Sequence, residues 1–234
     1  MFERAHHQRI AQLLDTFDGP LLLKHGCLFG GGTAMVLRFG EYRESVDIDF
    51  LVSDLAGYRG LRERLTGPEG ISGIVRKGVA APEQARDMRA DQYGVRTRLR
   101  LDGHEIKFEL VFEGRIHFAT PGPDDMVQQL ATLAPVDMAA SKLLANSDRW
   151  RDDGVFSRDV IDLAMMSAPS PLLRQAAEKA EGAYGDAVRR DLQKAIDQLR
   201  TRQGWLERCM KAMEMQLPRA LLWQKLRSVG RALA

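Results

Sequence analysis

Apolar residues recur at two different spacings along the chain, and the change of spacing divides it into two halves. Up to about residue 120, short apolar runs alternate with candidate helices, whereas from Pro123 onward the apolar positions recur at helical spacing. The first half predicts a mixed sheet with helices, and the second half predicts helices alone. We therefore expect an α/β domain over residues 1–120 and an all-helical domain over residues 121–234, with a cleft between them.

Individual elements follow from the same pattern. In the first half, helices are predicted over residues 4–17, 33–39 and 54–65, and strands over 21–29, 46–52, 71–79, 93–101 and 104–112, with an edge piece at 116–119. Asp102-Gly103 joins the last two long strands and is a strong hairpin signal. In the second half, helices are predicted over 124–133, 136–148, 157–167, 170–181, 183–199, 202–214 and 218–232. The last helix has leucines near helical spacing with basic residues between them, which is typical of either a core helix or a docking surface.

Composition is that of an ordinary globular protein, with 44% hydrophobic and 28% charged residues and a net charge of +2. The charge is unevenly distributed: residues 86–100 contain five arginines, and residues 218–234 contain four basic residues and no acidic one. Such runs are either solvated faces or surfaces that attract phosphate. The two cysteines, Cys27 and Cys209, form no zinc-binding pattern. We expect a cytoplasmic protein, since the N-terminus has no apolar signal region and no stretch reaches the ~20 apolar residues of a membrane span.

The segment Gly30–Val52, GGGTAMVLRFGEYRESVDIDFLV, contains the strongest candidate chemistry. Residues two apart on a strand share a face, so Asp47 and Asp49 are expected side by side, with Val46, Ile48 and Phe50 facing the other way. Two adjacent carboxylates repel each other unless a cation lies between them, and magnesium suits such a pair together with substrate phosphates. The glycine-rich turn before a helix offers backbone N–H groups to those phosphates. Either motif alone is also typical of a flexible turn or a solvated strand edge, but their order and spacing favour a site for a nucleoside triphosphate and its metal.

The segment Gly31–Phe50, GGTAMVLRFGEYRESVDIDF, resembles the nucleotidyltransferase superfamily with a DNA polymerase β-like core. A second block over residues 141–164, SKLLANSDRWRDDGVFSRDVIDLA, is similar to the AbiEii-type toxins, which are nucleotidyltransferases of type IV toxin–antitoxin systems. The resemblance spans roughly residues 27–165. It implies a polymerase β-like mixed sheet followed by a helical domain that closes the active-site cleft. It also implies a cytoplasmic enzyme that uses Mg²⁺, with Mn²⁺ as the alternative, and an NTP substrate.

The resemblance implies a metal site built from carboxylates. Asp47 and Asp49 are expected to bridge two metal ions that activate the acceptor hydroxyl and neutralise the leaving pyrophosphate. A third carboxylate on a neighbouring strand usually completes such a site. Alternation along residues 106–112 places Lys107 and Glu109 on one face, so Glu109 is the candidate third ligand. The alternative is an ordinary surface ion pair between Glu109 and Lys107.

Phosphate-binding roles are assigned to residues around the glycine turn. Gly31, Gly32 and Thr33 are expected to hold the triphosphate. Ser45 lies two residues before Asp47, as a serine or threonine does in AbiEii-like sequences. Its hydroxyl is expected to contact a phosphate or the acceptor, the alternative being a simple hydroxyl at the start of the strand. Arg43 offers a planar guanidinium that either reaches the γ-phosphate or is solvated.

Lys142, Asp159 and Asp162 are singled out in the second block. On spacing alone, Lys142 lies in an apolar helical segment and would be expected to extend its amine to water. The resemblance instead implies that Lys142 reaches the triphosphate and that the Arg-Asp-x-x-Asp block holds this lysine or the substrate. We assign catalytic roles to Lys142 and Asp159. An intrahelical Arg158/Asp162 network is the alternative for this block.

Three functional hypotheses follow. The first is transfer of a nucleotide from an NTP to RNA, by resemblance the 3′ end of tRNA, which stops translation and growth. The second keeps this chemistry but modifies a protein or a small molecule such as an aminoglycoside. The third is a binding module that has lost the chemistry, against which the intact D-x-D argues. The resemblance also implies a cognate antitoxin encoded nearby, often with a winged-helix DNA-binding domain.

Overall fold

A computed structural model describes residues 2–234, over which the chain forms ten α-helices and eight β-strands. The mixed α/β content and the helical second half agree with the predicted fold class. The chain forms two compact units. One runs to Arg38 and resumes over Ser45–Ala134, and the other comprises Phe39–Glu44 and Pro135–Ala234. The expectation of a boundary near residue 120 and of a cleft stays a prediction.

A mixed sheet is the centre of the first unit. Its strands are β1 (Cys27–Gly30), β2 (Ile48–Val52), β3 (Glu83–Gln84), β4 (Arg89–Ala90), β5 (Gly94–Leu101) and β6 (His104–Phe112). The spatial order is β1-β2-β6-β5-β3, and β4 also pairs with β5. Only the β2–β6 pair is parallel; the other pairs in this sheet are antiparallel.

One face of this sheet is apolar because the strands alternate as predicted. Ile106, Phe108 and Leu110 of β6 are fully buried, whereas the residues between them are partly accessible. The Phe108 ring contacts Phe50 of β2 at 5.7 Å and Phe17 at 5.6 Å between centroids. The chemistry-bearing residues therefore lie on the opposite face.

The helices of the first unit are α1 (Ala5–Leu14), α2 (Gly19–Lys24), α3 (Gly31–Arg38) and α4 (Leu55–Thr66). The prediction of a strand over residues 21–29 is wrong at its start, where α2 forms instead. The Asp18 side chain caps this helix by accepting from Leu21 N–H at 2.9 Å, and Pro20 stands in its first turn, where proline is favoured. Only the part over Cys27–Gly30 is a strand.

Two further predictions are wrong. Residues 71–79 do not form a strand; a 3₁₀ helix over Gly70–Ile74 buries Ile71 and Ile74, whose spacing of three matches that helix. Residues 124–133 form a two-stranded hairpin of β7 (Met126–Val127) and β8 (Leu130–Ala131) instead of a helix. Gln128 adopts a left-handed φ of 54° in its turn, which ends any helix there. Within residues 2–234, the segment 116–119 contributes no strand.

The second unit is helical, as predicted. Its helices are α5 (Pro135–Arg149), α6 (Arg158–Met165), α7 (Ser170–Tyr184), α8 (Ala187–Thr201), α9 (Trp205–Ala212) and α10 (Arg219–Leu233). Helix α5 packs against α6, α7 and α8. Leu222, Leu226, Val229 and Leu233 of α10 are buried, and this helix packs against the same three neighbours, so it is a core helix. No helix within residues 2–234 is both long and apolar enough to cross a membrane.

Candidate active site

Asp47 and Asp49 stand at the start of β2 with partly accessible side chains. Between and after them, Ile48 and Phe50 are buried at 0% and 1% exposure. The strand begins only at Ile48, so the alternation does not extend back to Val46, which is 48% exposed. The two aspartates therefore present their carboxylates away from the core.

Gly31 makes room for Asp49. Gly31 has a φ of +68°, and a Cβ atom at this position would lie 2.2 Å from Asp49 Oδ2. Gly30, the residue before it, is paired with Asp49 across β1 and β2. Glycine is required at position 31 both for the backbone conformation and for the close approach of the carboxylate.

Thr33 and Ser45 fix the backbone at Asp47. The buried Thr33 donates its hydroxyl proton to the Asp47 carbonyl oxygen at 2.5 Å. Since that uses its only O–H, Ser45 Oγ donates to Thr33 Oγ1 at 2.9 Å. The Ser45 N–H in turn donates to Nε2 of the buried His7 at 3.2 Å. These bonds hold the start of β2 on helices α1 and α3, and the phosphate-binding roles of Gly31, Gly32, Thr33 and Ser45 stay predictions.

Glu109 is the direct neighbour of Asp49 in the parallel β2–β6 register. Both of its carboxylate oxygens are occupied: Arg96 Nε lies 3.0 Å from Oε1, and Lys107 Nζ lies 2.6 Å from Oε2. The predicted ion pair with Lys107 is thus present. Among the described residues, no group of three or more His, Cys, Asp or Glu side chains is arranged to hold a metal ion. The role of Glu109 as a third ligand stays a prediction.

The carboxylates of Asp47 and Asp49 are of the chemical type that magnesium prefers. Asp47 and Asp49 supply hard carboxylate oxygens from adjacent positions, and Mg²⁺ binds through one or two carboxylates with substrate phosphates and water completing its shell. A pair of carboxylates is therefore sufficient on the protein side. In this structure the Glu109 carboxylate is paired with Arg96 and Lys107.

Lys142 lies inside a buried ionic network of the second unit. Its Nζ is 2.6 Å from Asp162 Oδ2 and 3.2 Å from Asp159 Oδ1, and the residue is 6% exposed. Spacing alone predicted that the Lys142 amine extends to water, and this prediction is wrong, because the amine is buried between two carboxylates. Arg149 adds two hydrogen bonds to Asp159 at 2.7 and 2.9 Å.

Arg43 and Tyr42 complete this network. Arg43 donates from Nε and Nη2 to the two oxygens of Asp162 at 2.7 and 2.8 Å, and Tyr42 Oη donates to Oδ1 at 2.8 Å. Arg43 Nη1 donates to the Glu44 carbonyl oxygen at 2.7 Å. The Arg43 guanidinium is buried and each of its three nitrogens donates a hydrogen bond, so it is not solvated; its contact to a γ-phosphate stays a prediction. The partners of Asp162 are thus Arg43, Lys142 and Tyr42 rather than Arg158.

The electrostatics of the network follow from burial and pairing. Burial of Asp162 opposes its ionisation, but Arg43 and Lys142 outweigh that cost and hold its pKa well below the usual range. Burial also opposes ionisation of Asp159, and Lys142 and Arg149 leave its pKa lowered as well. Burial, together with Asp162, raises the pKa of Tyr42. Asp159 and Asp162 are therefore ionised and Tyr42 is neutral at neutral pH.

A family model for the nucleotidyl transferase AbiEii toxin of type IV toxin–antitoxin systems matches residues 13–229. The chain belongs to this family. As a member of the AbiEii family it is a nucleotidyltransferase of a toxin–antitoxin system, and membership implies a cognate antitoxin. The match extends well beyond the two blocks that carry the sequence resemblance and includes most of the helical half.

Two solved structures are similar in outline to this AbiEii family member. A candidate nucleotidyltransferase from H. pylori is 14% identical, with 97% of this chain and 94% of that chain covered and a TM-score of 0.46. JHP933 from Helicobacter pylori is also 14% identical, with 100% and 95% covered and a TM-score of 0.47. A comparison with curated proteins gives no match.

Four residues of this AbiEii chain that contact the candidate site residues were not predicted from the sequence. Arg149 lies seven residues after Lys142 on α5, two turns along the same face, and that spacing could have indicated it. Arg96 could have been found from the Asp102-Gly103 hairpin, whose register places it opposite Glu109. Tyr42 and His7 carried no local signal, because their partners are distant in sequence.

Proposed function

We propose that this nucleotidyltransferase transfers a nucleotide from an NTP to the 3′ end of tRNA in a Mg²⁺-dependent reaction, and that this modification inhibits growth. The proposal rests chiefly on one observation: family membership coincides with two partly accessible carboxylates at the start of β2, Asp47 and Asp49, the second of which lies against Gly31. The basic stretch at residues 86–100 supports a nucleic-acid acceptor over a small molecule.

In this proposal each residue near the glycine turn has a separate task. Asp47 and Asp49 hold Mg²⁺, which would supply the charge that activates the acceptor hydroxyl and stabilises the leaving pyrophosphate. Gly31 leaves space for the Asp49 carboxylate, and the first N–H groups of α3, from Gly31 to Thr33, bind the triphosphate. Thr33 and Ser45 keep the Asp47 backbone in place.

Lys142 is proposed to neutralise the triphosphate, with Asp159 as its positioning partner. Its Nζ is shared by two carboxylates in this structure, so a phosphate oxygen would have to replace one of them. Asp162 has two other donors, Arg43 and Tyr42, and Asp159 has Arg149, so either carboxylate stays hydrogen-bonded after the exchange.

The direct test incubates purified protein and Mg²⁺ with total RNA and each of the four NTPs, labelled in the α-phosphate. We expect one or more NTPs to label tRNA, and we expect periodate oxidation of the tRNA 3′ diol to prevent labelling. Label in added protein or in an aminoglycoside, with none in RNA, would replace the RNA acceptor by the second hypothesis.

The Asp49→Asn variant tests the carboxylate pair. We expect transfer to fall about 1000-fold, since metal stabilisation of the transition state amounts to several kcal/mol. Asp102→Asn is the matched control, because Asp102 is an exposed turn residue with a φ of 50° that asparagine tolerates. Growth inhibition that persists in Asp49→Asn cells would point to a binding module and against a catalytic toxin.

A further inference from the structure

A groove of about 570 Å³ opens on the first unit, away from the glycine turn, and its lining is strongly basic. Five of its residues are cationic and one is acidic; the cationic ones are Arg86, Arg89, Arg96, Arg98 and Lys107. The whole chain has nearly balanced charges, with 34 basic and 32 acidic residues. The positive lining is therefore a local property of this groove.

The strand register ties this groove to the aspartates. Asp49 of β2 is paired with Glu109 of β6, Glu109 with Arg96 of β5, and Arg96 with Arg89 of β4. Residues paired across neighbouring strands share a face of the sheet. One row on the polar face therefore begins with carboxylates at β2 and ends with guanidinium groups at β4.

Arg96 pairs with Asp91 and Glu109, but the other three arginines of the groove are at most partly neutralised by the protein. Arg86 and Arg98 each lie 3.9 Å from Glu105 Oε2, which is too far for a hydrogen bond, and their side chains are 68% and 42% exposed. The salt bridges of residues 2–234 include none to Arg89, whose side chain is exposed. The backbone at Arg86 and Arg98 is nevertheless held in place. Ala85 N–H donates to the Arg98 carbonyl oxygen at 2.8 Å, and Thr97 Oγ1 donates to the Arg86 carbonyl oxygen at 2.6 Å.

We propose that this groove binds the phosphate backbone of the acceptor RNA and leads its end toward Asp49. The inference rests on the proposed function, since it names the surface that would hold the same acceptor. Arg96 and Arg98 lie two residues apart on β5, about 7 Å along the strand, so several successive phosphates can be contacted. A single triphosphate does not need five cations, and the Gly31 turn already offers it backbone donors.

Binding of RNA in the groove would also affect Glu109. Arg96 and Lys107 hold both oxygens of Glu109 and also line the groove. An RNA phosphate that takes these two cations releases the Glu109 carboxylate beside Asp49. The groove thus links occupation by the acceptor to the charge next to the aspartates.

The test measures binding of bulk tRNA, without NTP, between 50 and 200 mM salt. The Arg89→Gln/Arg98→Gln double variant removes two charges that do not contact Glu109. We expect its affinity to fall about tenfold or more and the slope of log K against log salt to become shallower by about 1.4–1.8, as for two lost phosphate contacts. The Arg59→Gln/Arg62→Gln variant is the matched control, since both arginines are exposed on α4 outside the groove, and it should bind like the wild type.

Other outcomes would overturn the proposal. Unchanged tRNA binding and salt slope in the double variant would remove the groove from RNA binding, even where the wild type still labels tRNA. Weakened binding of ATP with unchanged tRNA binding would assign the groove to a triphosphate, and loss of poly-glutamate binding alone would assign it to an acidic protein. Failure of the proposed function is separate: it would appear as absent labelling by the wild type while tRNA binding still depends on Arg89 and Arg98.

Discussion

The two ionic clusters of this protein use the same residue types in opposite ways. On the sheet of the first unit, Arg96 and Lys107 pair with Glu109 while their side chains stay 39% and 41% exposed. In the second unit, Arg43 and Lys142 pair with Asp162 at 4% and 6% exposure. Exposed pairs exchange partners at little cost, whereas buried pairs lose several kcal/mol when one partner is removed. The sheet cluster is therefore suited to exchanging partners. A change of partner at Lys142 in the helical cluster depends instead on the other donors to Asp159 and Asp162, namely Arg149, Arg43 and Tyr42.

The largest expected effect on stability comes from Asp162→Asn. Removing this charge leaves Arg43 and Lys142 buried without their main partner, and we expect the free energy of unfolding to fall by about 3–5 kcal/mol. Urea unfolding measures it. Asp197→Asn is the control, since Asp197 forms an exposed i,i+3 pair with Arg200, and it should cost less than about 0.5 kcal/mol. Equal effects of the two substitutions would contradict the distinction drawn between buried and exposed ion pairs.

Acid should remove the contribution of the Asp162 carboxylate to the free energy of unfolding. The pKa values of Asp159 and Asp162 are lowered in the folded protein, because Lys142, Arg43 and Arg149 outweigh the cost of burial. A lowered folded pKa gives stability that is complete above the unfolded value of about 3.9 and is lost as the pH falls toward the folded value. The free energies of unfolding of the wild type and of Asp162→Asn should therefore show their full difference above about pH 5, and this difference should shrink in stronger acid. A constant difference from pH 7 to pH 2 would contradict this assignment.

Gly31→Ala tests the glycine turn against a matched position. Gly26 has a similar φ of +63° with nothing within 4 Å of an added Cβ, so Gly26→Ala measures the conformational cost alone, about 1–2 kcal/mol. Gly31→Ala adds a clash with Asp49 and should cost about 1–3 kcal/mol more. It should also reduce nucleotide transfer, because Asp49 must move. Thermal unfolding and the transfer assay together separate the two effects.

The smallest effect is expected from Lys107→Gln. The Lys107–Glu109 pair is partly exposed, so its loss should change the free energy of unfolding by about 0–1 kcal/mol. The same substitution leaves Glu109 with Arg96 as its remaining partner and should weaken tRNA binding. A stability loss as large as that of Asp162→Asn would show that the sheet cluster is structural.

Local patterns predicted the elements that depend on local chemistry. Asp102-Gly103 defined the β5–β6 hairpin, and with it the face that carries Glu109. The strand prediction failed at residues 71–79, because it relied on apolar content, whereas the spacing of three between Ile71 and Ile74 is that of a 3₁₀ turn. The cap formed by Asp18 with Pro20 was a readable helix signal that the apolar run obscured.

Pairing between distant charges could not be predicted from the sequence. Lys142 was singled out only by family resemblance, and its two carboxylate partners were seen as neighbours of each other on α6. Arg43 was expected to reach a γ-phosphate or to be solvated, but in this structure it pairs with Asp162, 119 residues away. Periodicity reports which face of an element is buried and gives no information on which buried ion meets which.

The short excursion Phe39–Glu44, which belongs to the helical unit although it lies between α3 and β2, has a consequence for synthesis of the protein. Tyr42 leaves the ribosome 120 residues before Asp162, whose carboxylate accepts the hydrogen bond of the Tyr42 hydroxyl. At 5–20 residues per second the delay is about 6–24 s, and during this time Asp162 has not yet been synthesised. A nascent chain that stops before Asp162 therefore lacks the carboxylate that Tyr42 and Arg43 contact, and the helical unit is completed only late in translation.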